Sequence, residues 1–405
     1  KIGIVNRGMH KITYENLIAW KIINQPVKSN LIALIGNEGG MNPYLNSIMR
    51  PDSLAKIPIY IVDGGDNEFG MNDYFLFFAH DAKRLQFTAS SKKISVELND
   101  YTDTNFVFFG LNTGFQNIMQ SEFTDILDNP IELSSGNDYY HHQNQLLNFI
   151  KSGRQWVGED FLSANPRIFN IHLKDLITTI PVKIDYSAAV RSNVGVSANI
   201  MELFVNDILI RTIAYPAISP IYYNDYARFN DQNFSFLFPN ELVNFSNRYA
   251  QPNNNSSAWV HKFTFNYNKN WVYRNEPLFI TNFDFYGSND NFLYQIQATN
   301  PSDLVLFEVD NFYNVKKLGF NIVNDKLEFY KKGNKNNQYL LLHPSQCYSA
   351  VYKAPIQFAN LKENFITPEF LIVSHPDFLI AANEIKNIHE TEDKLITKVV
   401  KVEEI

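Results

Sequence analysis

The chain carries a single thiol, Cys347, in the segment His343-Pro-Ser-Gln-Cys347. A thiolate could attack a carbonyl carbon if a base lay beside it and its surroundings favoured the charged form. His343 is near in sequence but sits in a turn-forming stretch. A lone cysteine is more often a small buried apolar group, so Cys347 is read as non-catalytic. Asp138-Tyr-Tyr-His-His142 could ligate a metal or move protons. Adjacent side chains on a strand point to opposite faces, however, and no H-E-x-x-H spacing occurs. The expectation there is hydrogen bonding near a domain junction, with no metal. Residues 63–73 (Asp-Gly-Gly-Asp-Asn-Glu-Phe-Gly-Met-Asn-Asp) place Asp63, Asp66, Asn67 and Asp73 in a Gly-rich loop. Calcium favours such oxygen ligands. An EF-hand would need Glu where Tyr74 stands, so the reading is a solvated turn, with calcium kept as the alternative. Gly36-Asn-Glu-Gly-Gly lacks the Gly-Lys-Ser/Thr ending of a phosphate loop. His375 follows an apolar run, at the strand end where α/β sheets place their sites. It reads either as a site residue or as one that orients the turn.

Such residues act only if a fold holds them, and the composition limits which fold. The 405 residues are 45% hydrophobic and 19% charged, which excludes disorder as the main state. The net charge of −7 offers no basic field for nucleic acid. One cysteine allows neither an internal disulfide nor a thiolate zinc cluster, and no cofactor is indicated. No apolar run reaches the roughly 18 residues of a membrane helix. The 33 Phe and 22 Tyr favour strands, and the abundant Asn favours turns. The start, Lys-Ile-Gly-Ile-Val, reads as a strand rather than a signal peptide, and upstream polypeptide is expected to have been removed.

Three regions follow. Residues 1–164 read as a mixed, β-rich domain: a helix within 11–20 capped by Thr13, buried strands at 57–62, 74–78 and 105–109, and a short helix at 145–150. Asn165-Pro166 marks a junction. Residues 165–365 read as a β-sandwich. Its strands include 180–186, 201–205 and 260–267. In the last, Val260, Lys262, Thr264 and Asn266 are expected on one face and His261, Phe263, Phe265 and Tyr267 on the other. Asn206-Asp207 reads as a turn. Residues 366–405 read as strand–helix–strand, the opening of a parallel α/β sheet. Strands 370–374 and 397–402 flank a helix over 376–388, with Phe378, Ala382, Ile385 and Ile388 facing the sheet and Lys386 and Glu390 in solvent. A βαβ unit cannot bury both faces of its sheet, so the polypeptide is expected to continue beyond Ile405.

Several segments together resemble a known family. Phe370-Leu-Ile-Val-Ser-His-Pro-Asp-Phe378 with Ala381-Ala382 is similar to the start of the catalytic domain of gingipain-type cysteine peptidases, and 397–405 to their second strand. Residues 10–17, 36–41, 72–78, 139–142 and 152–161 (Ser-Gly-Arg-Gln-Trp-Val-Gly-Glu-Asp-Phe) resemble the amino-terminal part of the C-terminal signal peptidases, or sortases, of the type IX secretion system of Bacteroidetes. The resemblance covers only the amino-terminal part of such a protein. It implies mainly β (α+β) domains with a β-sandwich, then the first βαβ unit of a caspase- or gingipain-like domain. It implies an outer-membrane, cell-surface cysteine peptidase and transpeptidase that removes the C-terminal sorting domain of secreted cargo, attaches cargo to anionic lipopolysaccharide, and docks on the outer-membrane barrel PorV. The family's catalytic His and Cys lie further along than this chain reaches, and neither His375 nor Cys347 matches them. No catalytic residue is therefore assigned. Arg154, Trp156, Glu159 and Phe161 are expected to form an ordered junction touching both flanking domains.

Two other readings stay open. One is a non-enzymatic surface adhesin or glycan-binding module stacking sugars on Trp156, Trp259 or Trp271, for which core packing is the competing explanation. The other is an inactive paralogue serving as a scaffold.

Overall fold

A computed structural model describes residues 1–404 except 52, 152, 154, 196–197, 220–224, 300–302, 335–336, 357–360 and 362–366. The chain divides into two compact units, residues 2–352 and Lys1 with 353–405.

The larger unit is built of paired sheets around three large apolar cores, with a small fourth cluster at Phe149, Val157, Ala189, Ala227 and Trp259. The first core lies between a sheet in the order Val351–Tyr352, Ile2–Ile4, Asn105–Leu111, Ile32–Gly36, Ala55–Lys56 and another in the order Tyr348–Ser349, Gly8–Thr13, Tyr74–Ala79, Ile59–Val62. The apolar run 75–79 is buried throughout, as expected of a strand covered on both faces. Asn105–Leu111 differs, since only Val107 is fully buried there. The helix Tyr14–Ala19 starts on Thr13, whose hydroxyl accepts from the Asn16 amide while the Asn16 side chain accepts from the Thr13 amide. This reciprocal cap makes a six-residue helix possible where propensity alone would not.

The second core is a β-sandwich. One sheet runs Ser135–His142, Ser257–Asn270, Val182–Arg191, Arg228–Phe236, and the other Arg167–His172, Leu242–Ala250, Ile200–Val205, Ile208–Ala214. Phe245, Phe263 and Phe265 meet at its centre with ring centroids 4.9–5.3 Å apart. Val205 pairs with Ile208, leaving Asn206 and Asp207 as a two-residue loop, both at positive φ. That is the geometry of a type I′ hairpin, which Asn and Asp tolerate.

The third core, around Trp271, Tyr294, Phe329 and Tyr339, lies between a sheet containing Val305–Glu308 and Gln338–Leu342 and one containing Asn291–Ala298 and Lys326–Lys332.

Several local expectations need correction. The alternation over 260–267 breaks, because Ser187 pairs with Lys262 and Ala188 with Val260. His261 is the extra residue of a β-bulge, which moves Val260 onto the same inward face as Phe263 and Phe265. Thr264 and Asn266 are buried on the opposite face, where the hairpin strand Lys93–Glu97 covers them: the Asn266 amide accepts from the Ile94 N–H at 2.6 Å and donates to its carbonyl at 3.1 Å. The helix expected at 145–150 is instead a strand, Leu147–Asn148, and a 3-10 turn with Ile150 at positive φ. Pairing of Leu147–Asn148 with Trp156–Val157 outweighs the local apolar spacing. The division at 165 does not separate the sheets. Ser135–His142 belongs to the sandwich, while Gln120–Glu122 and Ile131–Leu133 pair in parallel with strands of the third module. Pairings across more than a hundred residues leave no trace in local periodicity.

In the smaller unit Phe370–Ser374 and Thr397–Lys401 pair in parallel, with Phe370 opposite Thr397. They are joined by a 3-10 turn, Pro376–Phe378, and the helix Leu379–Thr391. Ala382 is buried, but Phe378, Ile385 and Ile388 are exposed, contrary to the expected face. Leu379, Lys386 and His389 are the half-buried positions on the Ala382 side, and the His389 ring lies 4.1 Å from Phe370. Two strands about 4.8 Å apart cover only a narrow strip of a helix roughly 10 Å across, so that strip alone is shielded. Lys386 reaches Glu390 at 3.6 Å.

Candidate recognition cleft

Ser135–His142 lies antiparallel to Ser257–Asn270, and this pairing sends the two histidines apart. On one face the His141 Nδ1 lies 2.8 Å from the Thr264 hydroxyl. On the other, the His142 ring rests between Phe169 and Phe263, centroids 4.6 and 4.9 Å away. His142 Nε2 approaches both oxygens of Glu159 at 3.1 and 3.2 Å. Asn144 donates to the same carboxylate at 2.6 Å. Burial pushes the Glu159 carboxyl up, but the bonds from His142, its own backbone amide and Asn144 outweigh that and hold it at about 2. Among the described residues no three His, Cys, Asp or Glu side chains converge to hold a metal.

Residues 98–103 and 141–145 line a cleft of about 670 Å³. It presents the amides of Gln143, Asn144 and Gln145, the carboxylates of Asp100 and Asp103, and the ring of Tyr101, which is 77% exposed. Such a surface can donate to and accept from a bound polar chain, and it carries no thiol. Replacing Glu159 by Ala is expected to cost about 1–3 kcal/mol, because His142 and Asn144 lose their acceptor. The Glu159 contribution should be present above the unfolded carboxyl value of 4.5 and fade as pH falls through about 2. Urea midpoints of the two proteins measured from pH 7 to 3 would check both statements.

The junction segment is anchored on the sandwich. Gly158 and Phe161 N–H donate to the carbonyls of Val260 and Ala258 at 2.7 and 3.0 Å. Phe161 is buried with its ring edge-on to Tyr249, whereas Trp156 is 37% exposed. Arg154 lies outside the described residues. Trp259 and Trp271 are buried, against Phe149 and Tyr294 respectively, so core packing accounts for both.

The calcium alternative meets carboxylates already engaged by backbone amides and by Ser29. Asp63 accepts from the Ser29 hydroxyl and the Gly65 amide, Asp66 from the Glu68 amide and Asp73 from the Gly70 amide. Asn67 supplies a positive φ, and its carbonyl accepts from Ser29 N–H. Gly39 is required by packing rather than phosphate: a Cβ there would lie 1.7 Å from the Asp81 carbonyl oxygen.

Cys347 is half-buried against the first core, and burial pushes its thiol up to about 12 despite the field of Lys11. The His343 Nδ1 accepts from the Ser345 amide and lies 2.7 Å from its hydroxyl, capping the turn Pro344–Gln346. That nitrogen is engaged away from the thiol. His375 caps the next strand-to-helix turn in the same way, with Nδ1 accepting from the Asp377 amide at 3.2 Å. Sequence reasoning missed the interior histidines His10, His80 and His261 and the buried Arg7. Arg7 stands in Asn-Arg-Gly between two short strands and carries no local sign of burial.

The fold is thus a series of paired β-sheets followed by a parallel βαβ element, and the cleft on it is polar. No protein-family model matches the chain, and no curated protein matches it. Among solved structures, that of dimeric latent PorU from Porphyromonas gingivalis superposes with a TM-score of 0.81 at 17% identity, covering 99% of this chain and 37% of PorU. The chain therefore has the fold of a PorU-like amino-terminal part and spans little more than a third of that protein's length. A second structure, the insecticidal delta-endotoxin Cry8Ea1 from Bacillus thuringiensis, aligns over 58% of this chain and 41% of its own at 7% identity. Its TM-score of 0.20 supports no common architecture.

Proposed function

We propose that the chain is the amino-terminal portion of a PorU-like cell-surface cysteine peptidase and transpeptidase. The whole protein would remove the C-terminal sorting domain of type IX secretion cargo and pass the cargo to anionic lipopolysaccharide. This portion would recognise the sorting domain and dock on the outer-membrane barrel PorV. The observation that carries the reading is the superposition on PorU over 99% of the chain, which includes the βαβ element. The resemblance of the sequence at 370–378 and 152–161 supports it independently. Catalysis would fall to a His–Cys pair outside these 405 residues, since the only thiol here is held protonated by burial. The adhesin reading loses two of its three tryptophans to the interior.

Two measurements test this. An isolated sorting domain should bind the immobilised 405-residue chain and be displaced by excess free sorting domain. Absence of binding would remove the recognition role. In the complete protein, Cys347→Ala should leave cargo cleavage within about threefold, a barrier change below one tenfold step of roughly 1.4 kcal/mol. Loss of cleavage with folding intact would place the nucleophile inside this chain and overturn the assignment.

A further inference from the structure

Arg7 lies between the strands Ile2–Ile4 and Gly8–Thr13. The residue as a whole is half-buried, but its guanidinium is inside, and Nε exposes less than 1 Å². The guanidinium carbon sits 4.2 Å from the Phe279 ring centroid and 5.5 Å from that of Phe78. One Nη donates to Gln338 Oε1 at 2.8 Å, and the Nε–H has no acceptor. Among the described residues no carboxylate forms an ion pair with Arg7. The two carboxylates whose fields reach it are engaged elsewhere: Asp138 pairs with Lys269 at 2.6 Å, and Asp81 accepts from the Lys83 amide.

A buried charge without a counter-ion costs several kcal/mol, and arginine cannot escape the cost by releasing its proton. Beside the guanidinium is a cavity of about 320 Å³. One wall is apolar, formed by Leu85, Phe87, Ile94, Phe279 and Phe283; the other carries Asn137, Asp138, His141 and Thr281, with the Asp138 carboxylate paired to Lys269. The cavity thus has one apolar wall and one polar wall, with the guanidinium as its cation and the one carboxylate, Asp138, neutralised by Lys269. Its volume falls at the lower end for small-ligand sites. A planar guanidinium is the side chain that best matches a carboxylate in charge and shape.

We propose that this cavity binds a small carboxylate with an apolar, ring-bearing body, the carboxylate taken by Arg7 and the body by the Phe87–Ile94–Phe283 wall. The proposal is independent of the PorU reading, because it rests only on the unpaired guanidinium and the cavity beside it.

The test is calorimetric titration of the 405-residue chain with 3-phenylpropionate and, separately, with the neutral 3-phenylpropionamide. The acid should bind at least about tenfold more tightly than the amide, since only the acid meets the guanidinium with charge. Arg7→Met should erase the preference, with near-ultraviolet circular dichroism unchanged and a melting temperature equal to or above that of the parent. Arg7→Lys keeps the charge but loses the fork, and should fall between the two. Equal affinity for acid and amide in the parent, no binding of either at about 10 mM, or undiminished acid binding by Arg7→Met would each overturn the proposal. Should Arg7→Met fail to fold, the acid–amide comparison in the parent decides it alone.

Discussion

Lowering the pH from 7 to 5 is expected to destabilise the larger unit steeply. Four histidines lie inside. Burial pushes His10, His141 and His261 down to about 4, and His80 to about 3, with the Arg7 charge adding to the effect on His80. Each neutral ring is placed by its neighbours. His10 lies between Phe77 and Tyr348 with its Nδ1 3.1 Å from the Gly8 carbonyl oxygen. His80 lies against Phe78 and Phe312, and His261 Nδ1 is 3.0 Å from the Ser187 hydroxyl. The sign follows from linkage. In the unfolded chain these groups gain protons near 6.5, whereas in the fold they resist until about 4. Below 6.5 the unfolded state therefore binds more protons and stability falls with pH. A group so placed loses up to about 2 kcal/mol between pH 6.5 and 5. For His10, His80 and His141 together that is at most about 6 kcal/mol, a large part of a domain's stability. Thermal or urea midpoints should therefore drop steeply over this window. A midpoint that stays level between pH 7 and 5 would show that these histidines are hydrated or already protonated in the fold.

The second large effect is expected at Gly136. This residue sits in the sandwich strand Ser135–His142 opposite Lys269, where that sheet meets the third core. A Cβ there would lie 2.0 Å from the Thr281 carbonyl oxygen and 2.5 Å from Trp271 Cζ2. Neither neighbour can yield easily: Thr281 ends the paired strand Leu278–Thr281, and Trp271 is 1% exposed. Gly136→Ala should cost about 3 kcal/mol or more, the upper end of the range for overpacking. Gly110→Ala is the control, because nothing lies within 4 Å of a Cβ at that position. It should change stability by less than about 0.5 kcal/mol. Thermal melts of the three proteins decide the matter, and equal melting temperatures would mean that the two modules separate at Gly136 at little cost.

These expectations were unequally legible. Features that depend on a few neighbouring residues could be read directly. Thr13 caps its helix, Asn206-Asp207 makes its hairpin, and the strand–helix–strand pattern of 370–401 folds into a parallel pair. The cue at each lies within one or two turns of chain. The candidate recognition cleft was legible only in part. The opposed directions of His141 and His142 follow from strand alternation. That Glu159 closes on His142 across 17 positions does not.

The sequence by itself determined the β-rich class and the local caps and turns, because composition and short-range stereochemistry decide those. Tertiary structure decided the rest. The bulge at His261, set in the pairing with Val182–Arg191, reverses the facing of Val260. The expected boundary at 165 gave way to strands pairing with partners more than a hundred residues away. On the helix Leu379–Thr391 the narrow two-stranded sheet, not the apolar count, selected which side is shielded. Arg7, His10 and His80 are ordinary polar residues in an unremarkable sequence context. Only the closing of sheets over them removed water from their side chains, and that removal is what shifts the histidines and leaves the guanidinium beside a cavity with one apolar wall.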